Sequence, residues 1–147
     1  MKLSVKYSAE YSFEPMAIED YDEIYALWDG VPGLGLSSAD SREGIAAYLA
    51  HNPGQSFVCK ASGRIAGAIL CGSDGRRAYI HHTVVAPEHQ RKGLASELVR
   101  LATAAQKELG LQKCHLFLIV DNESGEAFWR AMGFEKRRDI GVMSKNL

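Results

Sequence analysis

The stretch from Val84 to Ala95, Val-Val-Ala-Pro-Glu-His-Gln-Arg-Lys-Gly-Leu-Ala, constrains the fold of this chain more than any other. Ahead of it, residues 78–85 are dominated by β-branched, aromatic and other apolar side chains, as a strand requires. Behind it, Leu94, Leu98, Leu101, Ala102, Ala105 and Leu109 recur at helical spacing. The chain must therefore pass from strand to helix through a tight basic turn, Gln90-Arg91-Lys92-Gly93. The amides that open a helix have no intrahelical acceptor. Those amides, the positive end of the helix dipole and two cations together suit an anion. Gly93 has no Cβ, so a phosphate can come close to the backbone. The chemistry suggested is pyrophosphate held by main-chain donors. The alternative is an ordinary strand–loop–helix joint whose cations are merely solvated.

A chain of 147 residues suits one domain, 1–147, with room for a sizeable core. Its 17 Lys and Arg against 18 Asp and Glu leave a formal charge of -1, which speaks against a general binder of nucleic acid or anionic membrane. An anionic ligand must then be held by local charge. No apolar run is long enough to span a bilayer. The first residues, with Lys2, Lys6, Glu10 and Glu14, lack the apolar centre of a signal peptide, so a cytoplasmic protein is expected. Cys59, Cys71 and Cys114 are odd in number, far apart and inside expected strands, and no metal-ligand spacing joins them to a histidine. They are expected as small buried apolar residues, and no metal is expected. His51 and His115 have no carboxylate or histidine partner at a short regular spacing.

Along the chain, residues 3–16, with Val5, Tyr7, Tyr11 and Phe13, predict a first strand ending near Pro15. Asp20 can cap a helix through Trp28 that turns Tyr21, Ile24, Tyr25 and Trp28 to one face. Residues 30–38, Gly-Val-Pro-Gly-Leu-Gly-Leu-Ser-Ser, cannot be a regular element, and are either a mobile connector or an apolar wall over a ligand. A second helix runs from Ser41 to His51, with Ile45, Tyr48 and Leu49 inward, and Asn52-Pro53-Gly54 stops it. Residues 55–61 and 64–72 predict a hairpin about Ser62-Gly63, and Asp74-Gly75 leads into the strand 76–85. Gly110 can end the long helix. Lys113 to Val120 is a nearly continuous apolar run, suited to a strand buried on both faces. Ser124 can cap a short helix holding Phe128, Ala131 and Met132, and Phe134 to Ser144 supplies one or two closing strands. The expected class is mixed α/β (α+β) in a single domain.

The turn Gln90-x-x-Gly93-x-Ala95, after a hydrophobic strand end and a Pro, resembles the acetyl-CoA-binding motif Arg/Gln-x-x-Gly-x-Gly/Ala of the GNAT superfamily of N-acetyltransferases. A second stretch, Asn122-x-x-Gly125-x-Ala127-Phe128-Trp129-x-x-x-Gly133-Phe134, resembles that family's C-terminal signature. The two motifs cover roughly residues 78–135, and the order of elements extends the likeness over the rest. The resemblance implies a central mixed, mostly antiparallel sheet of six to seven strands, with two parallel central strands splayed apart and about four helices around it. It implies an acetyltransferase using acetyl-CoA (coenzyme A) as co-substrate without a metal, acting on a small-molecule amine. It implies neither nucleic-acid nor membrane partners, and a homodimer is common in the family. The local sequence is similar to small bacterial acetyltransferases of unassigned substrate.

The resemblance also implies roles. The backbone of Thr83, Val84 and Val85 would pair with the pantetheine arm, and the amides of Gln90, Arg91, Lys92, Gly93, Leu94, Ala95 and Ser96 would hold the pyrophosphate. Asn122 would reach the arm from the other side, with Phe128 and Trp129 packed beside it, although Phe128 also suits plain core. Trp129 stands where relatives often carry a Tyr that protonates the departing thiolate, and an indole N–H is a donor but no acid. The proton then comes from elsewhere, or the thiolate leaves bare, as a thiol with a pKa of about 8.5 permits. The attacking amine must first lose a proton. Relatives often use a strand Glu for this, whereas this strand offers Tyr79-Ile80-His81-His82. By strand alternation Tyr79 and His81 share one face and His82 the other. His81 falls where relatives carry the carboxylate and is the candidate base, with Tyr79 and a water chain as rivals. A CoA-binding sensor or regulatory module without transferase activity is the alternative.

Overall fold

A computed structural model describes residues 10–147, and in it the turn signals of the sequence set the sheet. Ser62 and Gly63 both take positive φ, 50° and 80°, as a two-residue hairpin turn demands. They join β2 (Phe57–Ala61) to β3 (Arg64–Ser73). At the next turn the Asp74 carboxylate accepts from the amides of Arg76 and Arg77, both at 2.8 Å, and delivers the chain into β4 (Ala78–Val85). With β1 (Tyr11–Pro15) and β5 (Cys114–Leu116) these make a sheet of order β1-β2-β3-β4-β5. Neighbours are antiparallel except β4 and β5, which are parallel. Val5 and Tyr7 of the expected first strand lie outside the described residues.

Helices cover both faces. α1 (Tyr21–Asp29) and α2 (Arg42–His51) bury Ile24, Trp28 and Ile45 against Val58, Ala68, Leu70 and Val84 of the sheet. α3 (Leu94–Glu108) covers the other face with Leu94, Leu98, Val99, Leu101 and Ala102. Gly67 of β3 makes room there, since a Cβ on it would lie 3.3 Å from Leu98 Cδ1. Burying each such side chain contributes about 1.5–3 kcal/mol. Ser41 caps α2 by accepting from the Gly44 amide at 3.0 Å. Asp20 sits at the start of α1 but makes no cap bond. Its carboxylate instead meets Lys60 of β2 at 3.2 Å, because a half-buried ammonium is a better partner than an amide that water can also reach.

The described residues form two compact units, one ending at Phe117 and one spanning Leu118–Leu147. The second holds α4 (Glu123–Ala131), which makes four α-helices in all among the described residues. Three expectations are corrected. The sheet has five strands, not six to seven, and Phe134 to Ser144 forms no strand. The apolar run 113–120 is a strand only at Cys114–Leu116, half-buried there, and Phe117, Ile119 and Val120 are exposed. Its pairing with β4 stops at Ile80, and past that point the run has no backbone ladder to hold it extended. The helix cap is Asn122, not Ser124: its Oδ1 accepts from the Gly125 amide at 3.0 Å. The Ser124 side chain donates to that same Oδ1 at 3.4 Å from inside the helix.

Candidate active site

Between β4 and α3 the backbone makes two left-handed steps. Arg91 has φ 64° and Gly93, at the N-cap of α3, has φ 81°. Left-handed residues turn successive amides toward one side, the geometry of an anion-binding concavity. No side chain caps α3, and the first bond that closes onto it is from the Glu97 amide to Gly93 O, at 3.1 Å. The amides of Leu94, Ala95 and Ser96 therefore precede the first intrahelical bond, at the positive end of a 15-residue helix. The nearest acid, Glu97, is buried and bound through both oxygens to Arg100, at 2.9 and 2.6 Å, so its charge is matched.

Side chains hold this loop rigid. The Gln90 carboxamide donates to Val85 O at 3.0 Å, and its own amide closes onto Pro87 O at 3.3 Å. Gln90 is thus a fastener between strand end and loop. Lys92 Nζ donates to the Tyr11 hydroxyl at 3.1 Å and lies 5.5 Å over the Tyr11 ring. This hydrogen bond raises the Lys92 pKa above its ordinary value. Tyr11 also bonds His89 Nδ1 at 2.8 Å, so both ends of the loop are tied to β1 through one buried phenol. Arg91 remains at the surface.

The strand side departs from simple alternation. Thr83 faces Ile69 and Ile80 faces Cys71, so two β4 residues, His81 and His82, stand opposite the single residue Leu70. This is a β-bulge. It brings both imidazoles to the face covered by α1 and α2, where His82 meets Trp28 with ring centroids 4.9 Å apart and His81 meets Tyr48 at 5.7 Å. Tyr79 belongs to that face too, opposite Gly72, whose absent Cβ leaves space for Tyr48. The expectation that His82 points away from His81 is therefore corrected: the extra residue resets the alternation. Beyond the bulge β4 has lost β5, and the edge of residues 81–85 has no strand on that side in the sheet. Thr83 Oγ1 is buried without a hydrogen-bond partner among the described residues.

The electrostatics favour neutral bases. His81 keeps a solvent-exposed edge while its ring sits in crowded protein. Loss of solvent, reinforced by the neighbouring His82, holds its pKa below the ordinary value, and Asp40 pulls the other way. Tyr48 is pushed up by burial and stays protonated. Burial also pushes the Cys114 thiol up to about 11 and Cys59 to about 12, and raises Cys71 further, so none of the three is a thiolate near neutrality. No group of three or more His, Cys, Asp or Glu among the described residues is placed to hold a metal ion.

Two partners escape sequence reasoning. Asp40 joins His82 from 42 positions away, and Tyr11 joins Lys92 from 81 away. No local pattern marks either, although the adjacent histidines of β4 coincide with the bulge. Val31, Leu34 and Leu36 of residues 30–38 pack on the α1–α2 core, so that segment is a wall anchored by its apolar side chains. In the second unit, Asn122 caps α4, Phe128 meets Trp129 edge-on at 5.0 Å, and Trp129 meets Phe134 at 5.2 Å.

A rigid anion cradle on a helix start beside an open strand edge defines a protein that binds a phosphate-bearing, strand-like cofactor. The chain belongs to the acetyltransferase (GNAT) family, whose model matches residues 19–134. It is 25% identical over 128 residues to "Acetyltransferase YE1169" of Yersinia enterocolitica, covering 87% of this chain and 89% of that protein. Its fold is like that of the NatC complex bound to Gag peptide and CoA, with TM-score 0.75 and 21% identity over 88% of this chain and 87% of that one. It is also like AAC(6')-Iy in complex with the bisubstrate analogue CoA-S-monomethyl-acetylneamine, with TM-score 0.72 and 16% identity over 95% of this chain and 100% of that one. The chain is an acyl-CoA-dependent N-acetyltransferase by this membership. No helix among the described residues is long and apolar enough to cross a membrane.

Proposed function

We propose that this chain, acting as one domain, acetylates a small primary amine by direct attack in a ternary complex, with His81 as the base. The observation that carries the proposal is the β4 bulge, which sets a neutral-leaning imidazole one step from the start of an open strand edge. When bound, acetyl-CoA supplies a thioester carbonyl that a neutral amine attacks, the C–N bond forming and the C–S bond breaking as CoA thiolate leaves. The amides of Leu94, Ala95 and Ser96 suit the pyrophosphate. Lys92, held by Tyr11, and Arg91 add positive charge around it. The edge of Thr83 to Val85 offers main-chain groups to an extended amide-bearing arm, and a β4 amide there can steady the developing oxyanion. His81 takes the proton that the ammonium must lose. A pKa held below about 6.5 keeps His81 free to accept it near neutrality.

The small-molecule acceptor is supported by the aminoglycoside-derived ligand printed for AAC(6')-Iy, which this chain spans completely, while the NatC structure carries a peptide. Initial rates with acetyl-CoA against aminoglycosides, free amino acids, polyamines and short peptides with free N-termini test this. Turnover of a small amine well above every peptide is expected. Turnover of peptides alone would move the acceptor class to protein N-termini, and none with any amine would return the chain to a CoA-binding module.

A further inference from the structure

We propose that Asp40 and His82 form a positioning pair for the acceptor half of the reaction, through which the turn before α2 fixes the β4 bulge and the setting of His81. The inference rests on His81 as the base. Asp40 is buried, and all three of its oxygens are engaged. Oδ1 lies 2.8 Å from His82 Nε2, Oδ2 accepts from the Ser37 amide at 3.1 Å, and the main-chain O accepts from the Tyr21 hydroxyl at 2.6 Å. The Ser37 hydroxyl in turn accepts from the Ala39 amide at 3.2 Å, so the turn is closed around the carboxylate. On the other side the His82 ring is wedged on the edge of Trp28, which is fully buried. A bulge residue gripped in this way cannot exchange places with its neighbour. His81 is consequently left as the imidazole with an open edge.

The pair also sets the charge that His81 feels. The titratable groups facing it are His82 on its own strand, Asp40 from the turn, Tyr48 from α2 and Tyr79 further along β4. Tyr48 stays neutral, and Leu70 opposite carries no charge. The Asp40 carboxylate favours the His81 imidazolium and a charged His82 opposes it. A purely structural pair would hold the fold together without moving the titration of His81. A buried carboxylate stripped of its partner is costly, so the informative changes keep the shape and remove one charge.

The test is an NMR titration of the His81 ring in wild type, Asp40→Asn and His82→Gln, read beside the pH profile of kcat/KM for the amine. Asp40→Asn should move the His81 midpoint down and His82→Gln should move it up, each by about half a pH unit or more, within the spread of roughly one unit that proteins impose on histidine. The acidic limb of the rate profile should follow the midpoint. The kcat should fall about 10-fold, equivalent to about 1.4 kcal/mol, while KM for acetyl-CoA holds. Thermal melting confirms folding, and either variant alone decides if the other does not fold. A midpoint that stays in place, or that moves the same way in both variants, overturns the proposal. His81→Ala in the same series separates the two claims. If it leaves turnover intact, His81 is not the base, while the ring titration still decides whether Asp40 and His82 set its environment.

Discussion

Replacing Gly93 tests the cofactor cradle most directly. Its φ of 81° lies in the left-handed region, so any L side chain there is strained. Gly93→Ala should cost about 1–2 kcal/mol of stability from this alone. Gly93→Glu carries the same strain, but a carboxylate at a helix N-terminus recovers about 0.3–1 kcal/mol of it in the free protein. The two variants should therefore be similar in urea denaturation, with Glu the more stable of the two. They should separate sharply in binding. A Glu carboxylate about 5 Å from a phosphate charge, at an effective dielectric of about 20, is repelled by about 3 kcal/mol, or roughly 10²-fold in Kd. Calorimetry of CoA with both variants, repeated at low and high salt, measures this. The gap should narrow as salt rises, because exposed charges are screened. If folded Gly93→Glu bound CoA within twofold of Gly93→Ala, the phosphates would not sit on this helix start.

Other outcomes follow from the same geometry. His81→Ala should lower the transfer rate by about 10²-fold, the usual scale of a positioned base, with little change in acetyl-CoA affinity, whereas Tyr79→Phe should change neither; stopped assays with a saturating amine distinguish them. Because desolvation lowers the His81 pKa, the base is lost only when pH falls below its ordinary value of about 6.5, so the acidic limb of kcat/KM should lie beneath that pH and vanish in His81→Ala. Tyr11→Phe removes the hydroxyl that holds Lys92 and His89, and should raise KM for acetyl-CoA about threefold while leaving kcat, as the loss of one hydrogen bond of about 0.5–1.5 kcal/mol predicts; steady-state kinetics read the split. Leu98→Ala opens a cavity under Gly67 and should cost about 2–5 kcal/mol in urea denaturation.

Much of the fold was legible because its signals are local. Ser62-Gly63 and Asp74-Gly75 are turn residues for reasons of φ and side-chain hydrogen bonding, and both turns stand where they were expected. The apolar spacing of α3 and the glycines at 93 and 110 bound that helix because a 3.6-residue period and left-handed end residues depend on a few neighbouring positions. Asp20 shows where local reasoning fails. It is a good cap residue that a lysine from another strand takes away. The run 113–120 shows the same limit, since apolarity marks a segment that can be a strand while only a paired neighbour makes it one.

By itself, the sequence determined the strand–turn–helix joint of the anion cradle, the order of elements and the family. Each depends on residues within a few positions of one another. The tertiary structure alone decided that His81 and His82 share a face, that Asp40 takes His82, and that Tyr11 holds Lys92. A bulge exists only in the register between two strands, since period-2 alternation is a property of one strand and the extra residue is counted against its partner. Contacts across 42 and 81 positions arise only when the sheet and helices bring distant residues together, so nothing near either residue could announce its partner.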